Sequence, residues 1–185
     1  MVATQSSMLK LGTKASSFKL FDTNSRRTVT FSPSTTGKGF LFAFICNHCP
    51  FVIHLKKHFP RVFNNWSNQG IKVYAISSND TIEYPADSPE KMSEETLEFN
   101  FDFPYLFDET QHVARAFKAT CTPDFFLFNE HQKLVYRGQY DGSRPGGQIE
   151  VSGEDLINAV NRMIAGEKPS ENQIPSLGCN IKWKK

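Results

Sequence analysis

The chain has 185 residues, 39% apolar and 22% charged, with a formal net charge of +2. That length suits one domain whose core needs no metal or disulfide staple, and so even a charge balance gives no electrostatic case for a nucleic-acid partner. No apolar run approaches the ~18–20 residues of a membrane span, and the start MVATQSSMLK lacks a basic-then-apolar leader, so the expected location is the cytoplasm. Cysteines there are kept reduced, and four of them at 46, 49, 121 and 179 do not resemble a secreted disulfide framework.

Residues 1–8 are expected to be disordered. Phe18–Asp22 and Thr28–Phe31 alternate around a five-residue polar loop, which predicts a β-hairpin. Ser32 to Gly39 is a Ser/Thr/Gly/Pro loop. Phe40 to Cys46 is a continuous apolar run and suits a strand buried on both faces. From Pro50 to about Asn65, Phe51, Leu55, Phe59, Val62 and Phe63 recur at helical spacing, with Pro60 expected to kink or break the helix. Ile71–Ser77 reads as a strand and Asn79–Asp87 as a loop. Ser88-Pro89 then starts a helix, with Ser as N-cap and Pro at the first position.

Phe101–Phe107 is short and extended, and Asp108 with Gln111 resembles a capping box for a helix ending near Lys118. Asp124–Phe128 and Lys133–Arg137 form an antiparallel hairpin. Ser152 with Asp155 suggests another capping box, ahead of a helical stripe of Leu156, Val160, Met163 and Ile164. Residues 9–166 are therefore expected to form the domain, with 167–185 a tail docked through Leu177, Ile181 and Trp183. The order is a hairpin, a right-handed βαβ unit, an inserted helix, a further helix, a hairpin and a last helix.

Chemistry concentrates at Cys46-Asn47-His48-Cys49, where a strand meets a helix. Cys-x-x-Cys at such a junction is the signature of a thiol–disulfide site. Cys46 is expected at the helix N-terminus, where unpaired N–H groups favour a thiolate, and Cys49 one turn on, within bonding reach. His48 offers a second cation nearby. A zinc site using His54 and His58 is disfavoured, because Cys49 and His54 lie about 140° apart around a helix. Neither metal nor cofactor is expected, and both histidines read as solvent-facing. Two inert buried cysteines are the structural alternative. Pro123, after Thr122, is a place where a cis peptide is tolerable, although a trans proline at a strand start is the ordinary expectation.

LGTKASSFKL, CNHCPFV, AISSND, FPYLFDETQHVARAF, CTPDFFLF, LVYRGQYD and GCNIKWK occur in one order along the chain. On these motifs, covering about residues 9–185, it resembles the thioredoxin-like alkyl hydroperoxide reductase/thiol-specific antioxidant (peroxiredoxin-like) superfamily, in its Cys-x-x-Cys branch. The resemblance implies an α/β thioredoxin-like fold: a central mixed β-sheet flanked by helices, an N-terminal hairpin extension and an inserted helix. It implies that Pro123 is cis, faces the cysteine pair and presents backbone to substrate, with Thr122 beside it. Cys121 would lie near Cys46 as a candidate third thiol. Cys49, before Pro50, matches the peroxidatic position of peroxiredoxins. Their Thr or Ser three residues earlier is here Cys46, and their Arg falls near Thr122-Pro123. Ser16-Ser17 also departs from a pattern that often carries Pro.

The expected function is thiol–disulfide exchange, with Cys46 attacking, Cys49 resolving and Pro123 shaping the groove. Its partners would be protein or small-molecule disulfides and a thiol electron donor. A thiol peroxidase using Cys49, resolved by Cys46, Cys121 or Cys179, is the second reading. A non-enzymatic redox sensor or metal-transfer module is the third.

Overall fold

A computed structural model describes residues 3–185. The first half of the chain runs β1 (Ala3–Gln5), β2 (Phe18–Asp22), β3 (Thr28–Phe31), β4 (Gly39–Phe44), α1 (Pro50–Leu55), α2 (Phe59–Asn68) and β5 (Ile71–Ser77). After a single 3₁₀ turn, Pro85–Asp87, come α3 (Pro89–Phe99), β6 (Tyr105–Phe107), α4 (His112–Phe117), β7 (Cys121–Thr122), β8 (Asp124–Asn129), β9 (Leu134–Gly138), α5 (Glu154–Ile164) and β10 (Leu177–Asn180).

Seven strands form a mixed sheet in the order β3-β2-β6-β5-β4-β8-β9. The β4–β5 and β5–β6 pairs are parallel and the others antiparallel. The centre is β4, buried along its whole length. Phe40, Phe42 and Phe44 enter one core with Phe18, Phe31, Tyr74, Phe117, Phe126 and Phe128, while Leu41, Ala43 and Ile45 enter the other beneath the helices. A strand covered on both faces has no use for polar alternation, hence the unbroken apolar run. The Phe42 ring alone meets Phe18, Phe31, Tyr74, Phe117 and Phe128 at 4.9–5.8 Å between centroids. This is the thioredoxin-like arrangement expected, with its hairpin and inserted helix in place.

The helix expected from Pro50 to Asn65 is two helices. The break at Lys56–His58 comes just ahead of Pro60, whose ring would strike the carbonyl of residue 56 and which offers it no N–H. Asp108 does cap α4, accepting from the Val113 and Ala114 amides at 3.3 and 2.9 Å. Gln111 does not complete the box. Its side-chain amide instead donates to the carbonyls of Ser78 and Lys182, tying down the C-terminus. No capping box forms at α5 either: Gly153 is the N-cap, and the buried Asp141 carboxylate accepts from the Ser152 and Gly153 amides.

The two ends of the chain correct the expectation more strongly. Residues 3–5 are a strand rather than disordered, while Met1 and Val2 lie outside the described residues. β1 and β10 pair with each other, and β10 also pairs with β7, making a second, three-stranded sheet β1-β10-β7. The C-terminal segment is thus integral to the fold. Among the described residues no helix is long and apolar enough to cross a membrane.

Candidate active site

β4 ends at Phe44, and the chain turns through Cys46-Asn47-His48 into α1. The helix begins at Pro50, so Cys49 is its N-cap, with φ −70° and ψ 122°. This corrects the placement of the pair: Cys46 lies three residues before the N-cap, in the turn, and Cys49 is not inside the first turn. The helix is also only six residues long. Its dipole is accordingly less relevant than the individual donors around each sulfur.

Those donors are local. The Cys46 and Cys49 thiols lie close enough to influence each other's ionisation. Cys46 Sγ and Thr122 Oγ1 lie 3.3 Å apart, and Cys49 Sγ donates to the Thr122 carbonyl at 3.1 Å. The Cys46 thiol is the main influence drawing the Cys49 thiol down to about 5. Burial opposes it, and the Cys179 thiol and the amides of Val52 and Cys179 assist it. Val52 N–H forms no capping hydrogen bond with Sγ, so its part is electrostatic proximity. The Thr122 carbonyl is the contact that favours the neutral thiol, and it is lost on ionisation; the surrounding donors outweigh it.

Cys46 goes the other way. The Cys49 thiol beside it, its burial and the nearby Asp87 charge all raise it well above the ordinary thiol range. These influences favour the anion on Cys49, whereas the expectation from the sequence places it on Cys46.

Thr122–Pro123 is a cis peptide. It lies between β7 and β8, which sets Thr122 against both thiols. Cys121 does not turn toward Cys46; it donates to the Pro123 carbonyl at 3.7 Å, and burial raises its thiol far above the ordinary range. Cys179 is brought to Cys49 by the strand register, which puts it opposite Thr122. Burial, then the Cys49 sulfur, push the Cys179 thiol up to about 12. All four thiols are reduced and sealed in, with Cys49 and Cys121 0%, Cys46 1% and Cys179 3% exposed. That burial restricts what reaches them to small molecules unless a covering element moves.

His48 is held by a residue the sequence reading missed. Its Nδ1 pairs with Asp87 Oδ2 at 2.7 Å, and its ring stacks on Tyr84 at 5.4 Å. The Asp87 contact raises the His48 pKa above its ordinary 6.5. Burial alone would raise Asp87, but hydrogen bonds from His48, Asn79 and the Asn47 amide hold it below the usual carboxylate value. Asp87 closes a loop and precedes a helix start, a position with no motif around it; only the fold reveals its task.

Donor atoms of Cys46, His48 and Asp87 lie within 4.8 Å of one another, the one such metal-like group among the described residues. Asp87 already accepts four hydrogen bonds, from the Asn47 and His48 amides, His48 Nδ1 and Asn79 Nδ2. The set is built for internal hydrogen bonding rather than for an ion.

His54 and His58 are not solvent-facing as expected. Both are half-buried, His54 Nε2 on Ser143 Oγ at 2.9 Å and His58 Nδ1 on the Tyr140 hydroxyl at 2.7 Å. A cleft lined by Phe51, His54, Pro123, Tyr140, Ser143 and Leu177 opens beside the site, with no thiol on its wall.

A family model described as the AhpC/TSA family matches residues 11–137. No curated protein matches the chain. Among solved structures, an uncharacterized conserved protein from Geobacillus kaustophilus is 43% identical, with TM-score 0.96 over 100% of this chain and 97% of the other. A hypothetical protein from Sinorhizobium meliloti 1021 is 40% identical, with TM-score 0.94 over 98% of each chain. The thioredoxin domain of a thiol-disulfide oxidoreductase from Bacteroides vulgatus is 17% identical, with TM-score 0.64 over 84% of this chain and 99% of that one, a likeness of fold.

Proposed function

The chain belongs to the AhpC/TSA family, and within it we propose a thiol–disulfide oxidoreductase in which Cys49 is the attacking thiolate and Cys46 the resolving thiol. The observation that carries this reading is the placement of both thiols on one residue beside the cis-proline, Cys46 Sγ 3.3 Å from Thr122 Oγ1 and Cys49 Sγ 3.1 Å from the Thr122 carbonyl, and the Cys46 neighbour draws the Cys49 thiol down. A thiolate is the species that attacks a disulfide. Cys49 S⁻ attacks R–S–S–R, releasing RS⁻ and leaving a Cys49 mixed disulfide. Cys46 then gives up its proton and attacks Cys49 Sγ, a second RS⁻ leaves, and the Cys46–Cys49 disulfide remains. A thiol donor returns the two electrons.

Cys46 is the harder thiol to ionise, and its proton must leave as it attacks. His48 lies beside it as the candidate acceptor of that proton, held in place by Asp87 as a positioning residue. Thr122 and Pro123 frame the pair. The proposed setting is the cytoplasm, with small disulfides, or protein disulfides once a covering element moves, and a thiol donor as partners.

A thiol peroxidase is the second reading, favoured by the burial of a low-pKa Cys49 that only a small oxidant reaches. Against it, no guanidinium attends the sulfur: Arg137 is engaged with Gln173, and Arg144 with the Asp141 and Ser143 carbonyls and Gln139. Parallel assays of disulfide reduction and peroxide consumption separate the two. Under the first reading Cys49→Ser is inactive and Cys46→Ser stalls at a Cys49 mixed disulfide. Peroxide turnover that survives in Cys46→Ser, without disulfide reduction in the wild type, would establish the second.

A further inference from the structure

The backbone edge through which a cysteine-bearing peptide would approach Cys49 is already filled by this chain. Thr122 contacts both thiols, and the free edge of β7 is where an extended peptide would add as a strand. β10 occupies that edge, running antiparallel with Cys179 opposite Thr122 and Asn180 opposite Cys121. A β-carbon at Gly178 would stand 2.0 Å from the Thr122 carbonyl oxygen and 3.0 Å from Pro123 N. The residue before Cys179 therefore has to be glycine for the strand to lie this close.

We propose that β10 is a tethered occupant of the dithiol's substrate edge, and that Cys179 is a third redox thiol which exchanges with the Cys46–Cys49 disulfide to leave a Cys49–Cys179 bond. The inference rests on the dithiol reading above.

The strand is fastened on every side. β1 pairs along its outer edge, with Ala3 opposite Cys179. Ser176 Oγ donates to the Gly138 carbonyl, and the Lys182 amide donates to Asn79 Oδ1 at 2.8 Å. With β10 seated, no protein disulfide reaches Cys49, so the incoming oxidant is a small-molecule disulfide, RSSR. It accepts two electrons and leaves as two RSH when the Cys46–Cys49 disulfide forms.

The exchange that follows is redox-neutral. Cys179 loses its proton and its sulfur attacks Cys49 Sγ. The Cys46–Cys49 bond breaks with its electron pair on Cys46, which takes up one proton. The order of events is set by the charges. In the reduced protein burial and then the Cys49 sulfur keep Cys179 protonated, and Lys182 acts in the opposite sense. Oxidation of Cys49 removes its negative charge and its demand for the Cys179 proton, and Lys182 remains. Oxidation of Cys49 thus removes one of the two influences that hold the proton on Cys179, with burial the other. The product latches β10 covalently over the site, where the reduced protein holds it by hydrogen bonds alone.

The sequence makes the product easy to recognise. Trypsin places Cys46 and Cys49 together in the peptide 39–56, Cys121 in 119–133 and Cys179 in 163–182, because Lys168 precedes Pro169. The full-length wild type, Cys46→Ser and the double variant Cys46→Ser/Cys179→Ala are each treated with oxidised glutathione, quenched in acid, alkylated and mapped by mass spectrometry. A 39–56/163–182 cross-link is expected in the wild type. It should replace the glutathione adduct in Cys46→Ser, and the double variant should retain that adduct. A persistent Cys49–glutathione adduct in Cys46→Ser with no cross-link overturns the inference and leaves the dithiol reading standing, as does a link to 119–133 instead. Absence of any disulfide at Cys49 in all three proteins overturns both. The adduct in the double variant also reports an intact Cys49 whatever the substitution does to β10.

Discussion

Which sulfur carries the negative charge decides the roles of the pair, and a pH titration of thiolate ultraviolet absorbance reads it without any reagent having to enter a sealed site. With Cys49 at about 5 against an ordinary thiol value of 9.0, about 99% of Cys49 is ionised at pH 7, against about 1% for an unperturbed thiol. That ~100-fold gain in thiolate is nearly cancelled by lower nucleophilicity: a Brønsted coefficient of about 0.45 over about four pKa units costs roughly 60-fold. At pH 5 the ionisation advantage is about 5,000-fold, and a net factor of roughly 80 survives. The low-pH limb, not the neutral-pH rate, is therefore diagnostic. Wild type should show one thiolate appearing with a midpoint near 5. Cys49→Ser should lose it, and Cys46→Ala should shift it upward, because the Cys46 thiol is the leading cause of the depression. A low-pH thiolate that persists in Cys49→Ser and disappears in Cys46→Ala would refute the assignment.

Three further outcomes follow from the same structure. Gly178→Ala forces the Thr122–Pro123 backbone to yield, so it should lose about 1–3 kcal/mol in chemical denaturation and raise the Cys49 midpoint; an unchanged midpoint would mean that β10 does not support the anion. Asp87→Asn should bring the His48 pKa, read by NMR titration, down from its raised value. Since His48 is raised in the folded state, its stabilisation is full below about 6.5 and is lost as pH climbs through the folded value, a loss that the variant should lack. Asp124, fully buried, is pushed up to about 8 by burial from 3.8. The folded protein then holds a proton that the unfolded chain releases, so this group makes stability fall as pH rises from about 4 to about 8. Asp124→Asn should flatten that fall relative to wild type in denaturation curves across the range, and an identical slope would rule out the raised carboxyl.

The fold was legible wherever one physical rule acts locally. Alternation marked Phe18–Asp22 and Thr28–Phe31, and a run of apolar residues marked a strand with two covered faces. Ser88-Pro89 marked a helix start, confirmed by Ser88 Oγ accepting from the Lys91 amide at 3.4 Å. Caps read from spacing alone fared worse. Ser152 with Asp155 has the right interval, yet the turn into the helix is held by Asp141, eleven residues upstream of Ser152, through the Ser152 and Gly153 amides, and no local pattern encodes a carboxylate delivered by a neighbouring loop. The N-terminal end of the chain was misread for the same reason. Ala3–Gln5 has no apolar face to advertise, and its order derives from pairing with residues 177–179 at the far end of the sequence.

The site shows both kinds of legibility within four residues. Cys-x-x-Cys was visible as chemistry, and the correct N-cap was visible too: Pro50 at the first helical position places the cap one residue earlier, at Cys49. Treating the pair as a generic turn-and-helix dithiol obscured this and put the anion on Cys46, where the proposal above puts it on Cys49. Cys179 could not be placed by any spacing rule, because it reaches Cys49 through the pairing of β10 with β7. Its only local sign is Gly178, the residue that allows a strand to press against the Thr122 carbonyl. Nothing about a glycine before a cysteine distinguishes it from a loop. The electrostatics of Cys49 depend on sulfur and amide groups from two separate stretches of chain, and one of them, at Cys179, meets it only after the strands have paired. A dithiol motif thus specifies which residues can exchange electrons, while the strand that covers it specifies with what.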